Sequence, residues 1–162
     1  MAKNNTEGQA KRSKIGTDFQ RKVCDIFETW LETEHLDSIF EVKNLGRKDS
    51  ALSNGKSISP DGIVVKKATG TIQIRIGVKS SMRERWKQDD RDAILCDLCG
   101  PSVPWIEITE CEYSNSSLSA IRKKCSEVKA ASNFTFVVSL LDRDGMNAMR
   151  NNLKKFLIDG AL

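Results

Sequence analysis

The chain of 162 residues has few histidines, no even set of cysteines and no long apolar stretch, which are features that define other protein classes. It holds one histidine and five cysteines, which favours neither a histidine-rich metal site nor an evenly paired disulfide framework. No apolar stretch reaches membrane-spanning length, and no basic-then-apolar signal pattern is present. These absences predict a protein of the reducing cytoplasm that has no membrane partner.

The composition that remains predicts one globular domain. Hydrophobic residues make up 39% and charged residues 30% of the chain, which is typical of a soluble, folded protein. The net charge of +4 is compatible with nucleic acid without demonstrating it. Four basic residues and one glutamate fall within residues 1–14. We therefore expect a basic, flexible segment over 1–14, either solvated or touching phosphate, before a single domain over 15–162.

The apolar spacing predicts an α/β fold with a mixed sheet flanked by helices. A helical period begins at Ile15, and β-type runs and helical patterns then alternate. The predicted order is helix, three strands, helix, strand, helix, strand and helix. An antiparallel hairpin followed by β-α-β units gives such a sheet. The strands are expected at 39–42, 58–66, 71–79, 103–109 and 134–138, and the later helices at 83–98, 118–128 and 146–157.

The hairpin strand over 71–79 alternates apolar and polar residues. Its period of two predicts one buried face made of Ile72, Ile74, Ile76 and Val78. Gly77 and Lys79 then point to the opposite face. Lys79 therefore ends its strand on the face away from the apolar residues.

A carboxylate stands at the matching place on the preceding strand. Pro60 and Asp61 come directly before an apolar run, and Gly62 lets the backbone approach closely. A carboxylate and a lysine at neighbouring strand ends can hold a divalent metal and a water against a phosphate. Lys79 can orient or deprotonate that water and stabilise the developing charge. The carbonyl of Val78 adds an oxygen ligand, and such an all-oxygen site suits Mg²⁺.

A second carboxylate is required, and the position two residues before the lysine, on the same face of the strand, holds Gly77. Asp92 lies thirteen residues after Lys79 on the predicted helix, and helical periodicity can return it to the site. Asp89 is a neighbouring alternative. Glu107 follows the pattern of a surface residue, as does Glu110, and neither is assigned to the site.

The segment after Lys79 resembles the PD-(D/E)XK nucleases, and within them the EcoRII-like and NgoMIV-like restriction endonucleases. That branch carries lysine, two small hydroxyl residues, R-(D/E)-R-W-x-Q and a displaced acid near thirteen residues after the lysine. The matching residues here are Lys79, Ser80, Ser81, Arg83, Glu84, Arg85, Trp86, Gln88 and Asp92. The order of elements also fits the restriction-endonuclease-like core over residues 15 to 140.

The resemblance implies a role for each matching residue. Asp61 and Asp92 correspond to the metal carboxylates and Lys79 to the catalytic lysine, and Glu28 is the candidate for a glutamate on the first helix. Arg83, Glu84 and Arg85 correspond to base-reading residues, although Arg85 can instead help to order the site. Arginine donates to guanine and a carboxylate accepts from cytosine, so these residues suit adjacent C·G pairs.

The resemblance predicts a type II restriction endonuclease that uses Mg²⁺ to hydrolyse double-stranded DNA at a site containing CC/GG. Symmetric sites favour a homodimer. Two alternatives stay open at this point: a structure-selective or repair nuclease of the same fold, and a catalytically silent DNA-binding module. Asp61 as a turn residue and the charges over 83–92 as a solvated helix face are the corresponding structural interpretations.

Overall fold

The structure is a computed structural model that describes residues 3–45, 60–79, 86–109 and 117–162. In these ranges the chain forms four helices and five strands, in the predicted order. The elements are α1 (Lys3–Thr33), β1 (Phe40–Asn44), β2 (Gly62–Lys66), β3 (Ile72–Lys79), α2 (Trp86–Cys99), β4 (Trp105–Thr109), α3 (Leu118–Ala130), β5 (Phe136–Ser139) and α4 (Arg143–Asp159).

The strands form one mixed sheet in the order β1-β2-β3-β4-β5. Strands β1, β2 and β3 pair antiparallel, whereas β3, β4 and β5 pair parallel. A turn ending at Gly70, whose φ of 68° favours glycine, joins β2 to β3. The predicted mixed sheet flanked by helices is confirmed, and β3 lies at its centre beside both β2 and β4.

Helices cover both faces of the sheet. On one face α1 and α4 pack on Ile74, Ile76 and Ile106. On the other face Trp105 and Val137 pack with residues of α2 and α3. Because β3 and β4 are covered on both sides, polar side chains in the middle of these strands, such as Arg75 and Glu107, lie inside the protein.

One residue predicted for the apolar face of β3, Ile72, lies on the other face of the sheet. Ile74, Ile76 and Val78 lie in the α1 and α4 core as expected, but Ile72 packs on the opposite face with Ile63 and Val65. The pairing shifts between Val64 and Val65, so that Ile72 faces Val65 across the strands. A β-bulge of this kind reverses the alternation beyond it, and the sequence pattern does not reveal it.

The first helix begins at Lys3, twelve residues before the predicted start at Ile15. The early segment contains no proline, and each added residue of a helix gains one hydrogen bond. The prediction used apolar periodicity, which starts only at Ile15. The boundary at residue 14 is thus not a boundary of secondary structure. No helix in the described part of the chain is long and apolar enough to cross a membrane.

Polar contacts supplement the apolar packing of Trp86, Ala93 and Cys96 that holds α2 on the sheet. Its buried residues are Asp89 and Ala93. At its start, Asp90 accepts a hydrogen bond from the backbone N–H of Asn133 at 2.7 Å. At its end, the buried guanidinium of Arg75 donates to the carbonyl of Pro101 at 2.9 Å and lies 3.4 Å from the Asp97 carboxylate. Arg75 therefore fixes the helix that carries Asp89.

Replacing Arg75 by methionine is expected to destabilise the fold. The side chain is only 4% exposed, and its loss leaves the Pro101 carbonyl without its donor. Pro101 itself is exposed, so the expected loss is that of the hydrogen bonds of a charged group, about 1.5–3 kcal/mol. Urea unfolding measures the change, with Arg91→Met at an exposed position of α2 as the control for loss of an arginine. Equal stabilities of the two variants would contradict this assignment.

Candidate active site

Asp61 is fixed by hydrogen bonds from three directions. Its backbone N–H donates to the carbonyl of Ile76 at 2.9 Å, and its carboxylate accepts from the backbone N–H of Val78 at 2.7 Å. Its own carbonyl accepts from the Leu45 backbone N–H at 3.0 Å and from Gln20 Nε2 at 2.7 Å. The carboxylate is thereby held against β3, just before β2 begins.

The expected close approach at Gly62 is confirmed. A Cβ added there would lie 3.0 Å from Cys24 Sγ of α1 and 3.4 Å from the Lys43 carbonyl oxygen. Burial, helped by the charges of Asp61 and Glu28, raises the pKa of the Cys24 thiol to about 12, so this cysteine is unreactive at neutral pH. Glu28 is exposed one turn further along α1. Its assignment to the site stays a prediction.

Lys79 ends β3 and is bound by a carboxylate of α2. Its Nζ lies 3.2 Å from Asp89 Oδ1, and the two side chains are 27% and 10% exposed. Burial alone would lower the pKa of Lys79, but the charges of Asp89 and Asp61 outweigh it and raise that pKa. Lys79 therefore carries an ammonium at neutral pH, which suits it to orienting water and stabilising negative charge.

Glu107 lies inside the protein beside Gly77, so the expectation of a surface glutamate is wrong. The two residues are register partners in β4 and β3, and Glu107 is fully buried. Trp105 Nε1 donates to Glu107 Oε2 at 3.0 Å. A Cβ added at Gly77 would lie 2.4 Å from that oxygen and 2.8 Å from the indole nitrogen. Glycine at position 77 thus makes the space that Glu107 fills.

Among the described residues, two buried carboxylate oxygens have no hydrogen-bond donor while both groups are ionised, namely Asp89 Oδ2 and Glu107 Oε1. Burial, together with the charge and contact of Asp89, raises the pKa of Glu107 well above its usual range. Two ionised carboxylates offer acceptors but no donor to each other. A proton or a cation is therefore required to satisfy this pair.

The whole cluster carries an excess of negative charge. Burial and the nearby charge of Asp89 raise the pKa of Asp61 from 3.8 to about 6, against the opposing effects of the Val78 N–H and Lys79. In the described part of the site, the charges of three carboxylates, Asp61, Asp89 and Glu107, raise the pKa of Lys79. Such a cluster favours an additional positive charge.

Asp92 lies one turn beyond Asp89 on α2. Its carboxylate accepts from Gln88 Nε2 at 3.1 Å, and burial raises its pKa. The charge of Asp92 helps to raise the pKa of Asp61, and the charge of Lys79 opposes the rise in the pKa of Asp92. The direct ion pair with Lys79, however, is made by Asp89. The sequence offered Asp89 only as the alternative, and the metal-binding role of Asp92 stays a prediction.

The structure brings Asp61 and Lys79 together as the sequence predicted. Val78 contributes its N–H to hold Asp61, and the ligand role of its carbonyl stays a prediction. The predicted base-reading residues Arg83, Glu84 and Arg85 lie outside the described residues. Sequence reasoning missed Glu107, although glycine in place of the usual acid was a signal that another group fills that space.

The donor set is one that Mg²⁺ accepts, since all its groups are carboxylate oxygens. Within the described ranges, no group of three or more histidine, cysteine, aspartate or glutamate residues is arranged to hold a metal ion by itself. Mg²⁺ commonly uses one or two carboxylates and completes its shell with water and substrate phosphates. The unpartnered oxygens of Asp89 and Glu107 therefore fit such a cation.

In comparisons with known proteins, no family model, no curated protein and no solved structure matches this chain. The resemblance to PD-(D/E)XK nucleases accordingly rests on Asp61 after proline, on the motif from Lys79 to Asp92 and on the order of elements. What the cluster does has to be inferred from its own chemistry.

Proposed function

We propose that this protein is a type II restriction endonuclease that uses Mg²⁺ to hydrolyse double-stranded DNA at a site containing CC/GG. The observation that carries the proposal is the placement of Asp61 and Lys79 at adjoining ends of β2 and β3, close enough for each charge to shift the pKa of the other. Buried carboxylates with unpartnered oxygens surround the same lysine. The order of helices and strands is compatible with the PD-(D/E)XK core.

A divalent cation suits the negative charge of the cluster. When bound, Mg²⁺ would polarise a phosphoryl oxygen and lower the pKa of an attacking water. Asp61 is the first residue proposed to hold it, because its carboxylate is fixed at the strand end. The resemblance assigns Asp92 as the second carboxylate and the Val78 carbonyl as a further ligand.

Lys79 supplies the positive charge that the protein itself brings to the reaction. Hydrolysis adds a water oxygen to phosphorus and breaks the bond to the leaving oxygen of the DNA backbone, so that negative charge grows on the phosphate oxygens. An ammonium held by Asp89 at 3.2 Å is placed to orient the water and to stabilise that charge. Its raised pKa argues for this role over that of a base.

The substrate class follows from the residues between Lys79 and α2. Arg83, Glu84 and Arg85 provide arginine donors for guanine and a carboxylate acceptor for cytosine. They are joined directly to the helix that carries Asp89. Reading and cutting would thus depend on one short segment, and a symmetric site would be read by a homodimer.

Mapping the cleavage ends tests the function and the specificity together. The purified chain is incubated with Mg²⁺ and phage DNA of known sequence, and the fragment ends are sequenced. We expect discrete fragments whose ends share one short sequence containing CC/GG. Ends with no shared sequence would remove the specificity but leave the nuclease. Cleavage of branched DNA in preference to linear duplex would favour a structure-selective or repair nuclease, and binding without any cleavage would favour a silent module.

A further inference from the structure

The position two residues before Lys79 has no side chain, and Glu107 of the neighbouring strand fills its place. Gly77 and Glu107 are register partners in the parallel pair β3 and β4. A Cβ at position 77 would lie 2.4 Å from Glu107 Oε2 and 3.1 Å from Asp89 Oδ2. Both carboxylates therefore converge on the point where a side chain of residue 77 would begin.

Glu107 is a costly residue in this place. It is fully buried, and Trp105 satisfies only one of its two oxygens. A buried carboxylate without full pairing costs several kcal/mol, to order of magnitude, whereas an apolar residue of similar size would pack without that penalty. Either a proton shared with Asp89 or a cation bound by both carboxylates would satisfy the remaining oxygen.

We propose that Glu107, together with Asp89, supplies the second metal-binding carboxylate of the site, reaching it from β4 across Gly77. This inference rests on the proposed function and deepens it, because it names the ligands of its cation. A divalent cation bound by Asp89 Oδ2 and Glu107 Oε1 satisfies the two buried oxygens that lack partners. Asp92, which the resemblance assigns to this role, is instead hydrogen-bonded to Gln88.

Manganese binding to the DNA-free protein tests the assignment without using activity. Mn²⁺ replaces Mg²⁺ as the probe, and electron paramagnetic resonance measures the free ion during a titration. Losing a ligand is expected to weaken affinity by at least the roughly tenfold seen for supporting residues of metal sites, so we expect that loss in Glu107→Gln. Asp92→Asn tests the competing assignment, and the exposed Glu127→Gln on α3 is the matched control.

A second set of variants moves the carboxylate from β4 to β3. It keeps the ligand assignment testable if Glu107→Gln fails to fold. Gly77→Asp alone is expected to lose binding, because the new side chain collides with Glu107 Oε2. Glu107→Ala alone removes the ligand and leaves a cavity. The double variant G77D/E107A places an acid where Glu107 now lies, and we expect it to regain at least about tenfold of the affinity lost in Glu107→Ala.

Mn²⁺ binding tests the ligand assignment and DNA cleavage tests the proposed function, so either can be wrong without the other. Wild-type Mn²⁺ affinity in Glu107→Gln, a loss confined to Asp92→Asn, or no saturable Mn²⁺ binding by the wild type would overturn the ligand assignment. DNA cleavage by the wild type in Mg²⁺, scored independently, would still support the nuclease. Conversely, Mn²⁺ binding that depends on Glu107 in a protein that cuts no DNA would leave the assignment and remove the function.

Discussion

Replacing Lys79 by alanine is expected to abolish cleavage while leaving DNA binding nearly intact. The ammonium is held by Asp89 at 3.2 Å among carboxylates, where charge on a phosphate would develop. Removing one such stabilising group lowers rates by about 10²–10³-fold, and losing the positioned water as well extends the loss. Binding should fall only a few-fold, on the order of one phosphate contact among several. Single-turnover cleavage and fluorescence anisotropy measure the two quantities.

Lys66→Ala is the matched control for Lys79→Ala. Lys66 also ends a strand of the same sheet, but it is exposed and outside the cluster. We expect wild-type cleavage from this variant. Cleavage by Lys79→Ala at the wild-type rate would remove Lys79 from the chemistry. A loss of binding equal to the loss of cleavage would show that its charge serves DNA binding alone.

Asp61→Asn is expected to change stability and activity in opposite directions. Asn keeps an oxygen that accepts the Val78 N–H, so the hydrogen bond at the strand end is preserved. Removing the charge relieves the repulsion from Asp89 and the burial penalty that raise the pKa of Asp61 to about 6. Cleavage should nevertheless fall by about 10³-fold or more, to order of magnitude, because the metal loses its first carboxylate.

The stability gain of Asp61→Asn has a defined pH dependence. Because the folded pKa of about 6 exceeds the unfolded value of 3.8, wild-type stability from this group is full below the unfolded pKa and is lost as pH rises through the folded pKa. The variant does not titrate. Allowing for partial exposure, it should be about 1–2 kcal/mol more stable than the wild type at neutral pH and no more stable near pH 4.

Urea unfolding at the two pH values, with and without Mg²⁺, measures these effects. Mg²⁺ at about ten times its dissociation constant should stabilise the wild type by about 1.4 kcal/mol and leave Asp61→Asn unchanged. The exposed Asp37→Asn is the control and should stay within about 0.5 kcal/mol of the wild type throughout. A variant less stable than the wild type at neutral pH would contradict the electrostatic description of the cluster.

The placement of Asp61 beside the end of β3 that carries Lys79 was predictable because local rules determine both positions. A proline and an aspartate before an apolar run mark the start of a strand, and alternation along β3 places Lys79 on the face of Gly77. The hairpin turn at Gly70 then sets the two strands side by side. None of these steps needs knowledge of which strands lie further away in the sheet.

Glu107 was not predictable by the same rules. Glu107 stands between two isoleucines, so alternation places its side chain on the face opposite the apolar one. In an exposed sheet, that opposite face contacts solvent. Here β4 lies between β3 and β5, which are both parallel to it, and α2 covers its second face. Strand order and helix placement decide this burial, and both depend on contacts distant in sequence.

The choice between Asp89 and Asp92 depended on helix phase. The two lie one turn apart on α2, so periodicity alone brings both near the sheet. The phase is set by Arg75 at one end of the helix and by the bond from Asn133 to Asp90 near the other. These long-range polar contacts have no signature in the local sequence pattern.

Cleavage of long DNA of known sequence, measured during a Mg²⁺ titration, shows whether this protein is a metal-dependent nuclease. We expect no cleavage in the presence of a chelator. As the Mg²⁺ concentration rises, we expect a saturable cleavage rate that yields discrete fragments. Fragments that form equally well with the chelator, or none at any Mg²⁺ concentration, would contradict a metal-dependent nuclease built on Asp61 and Lys79.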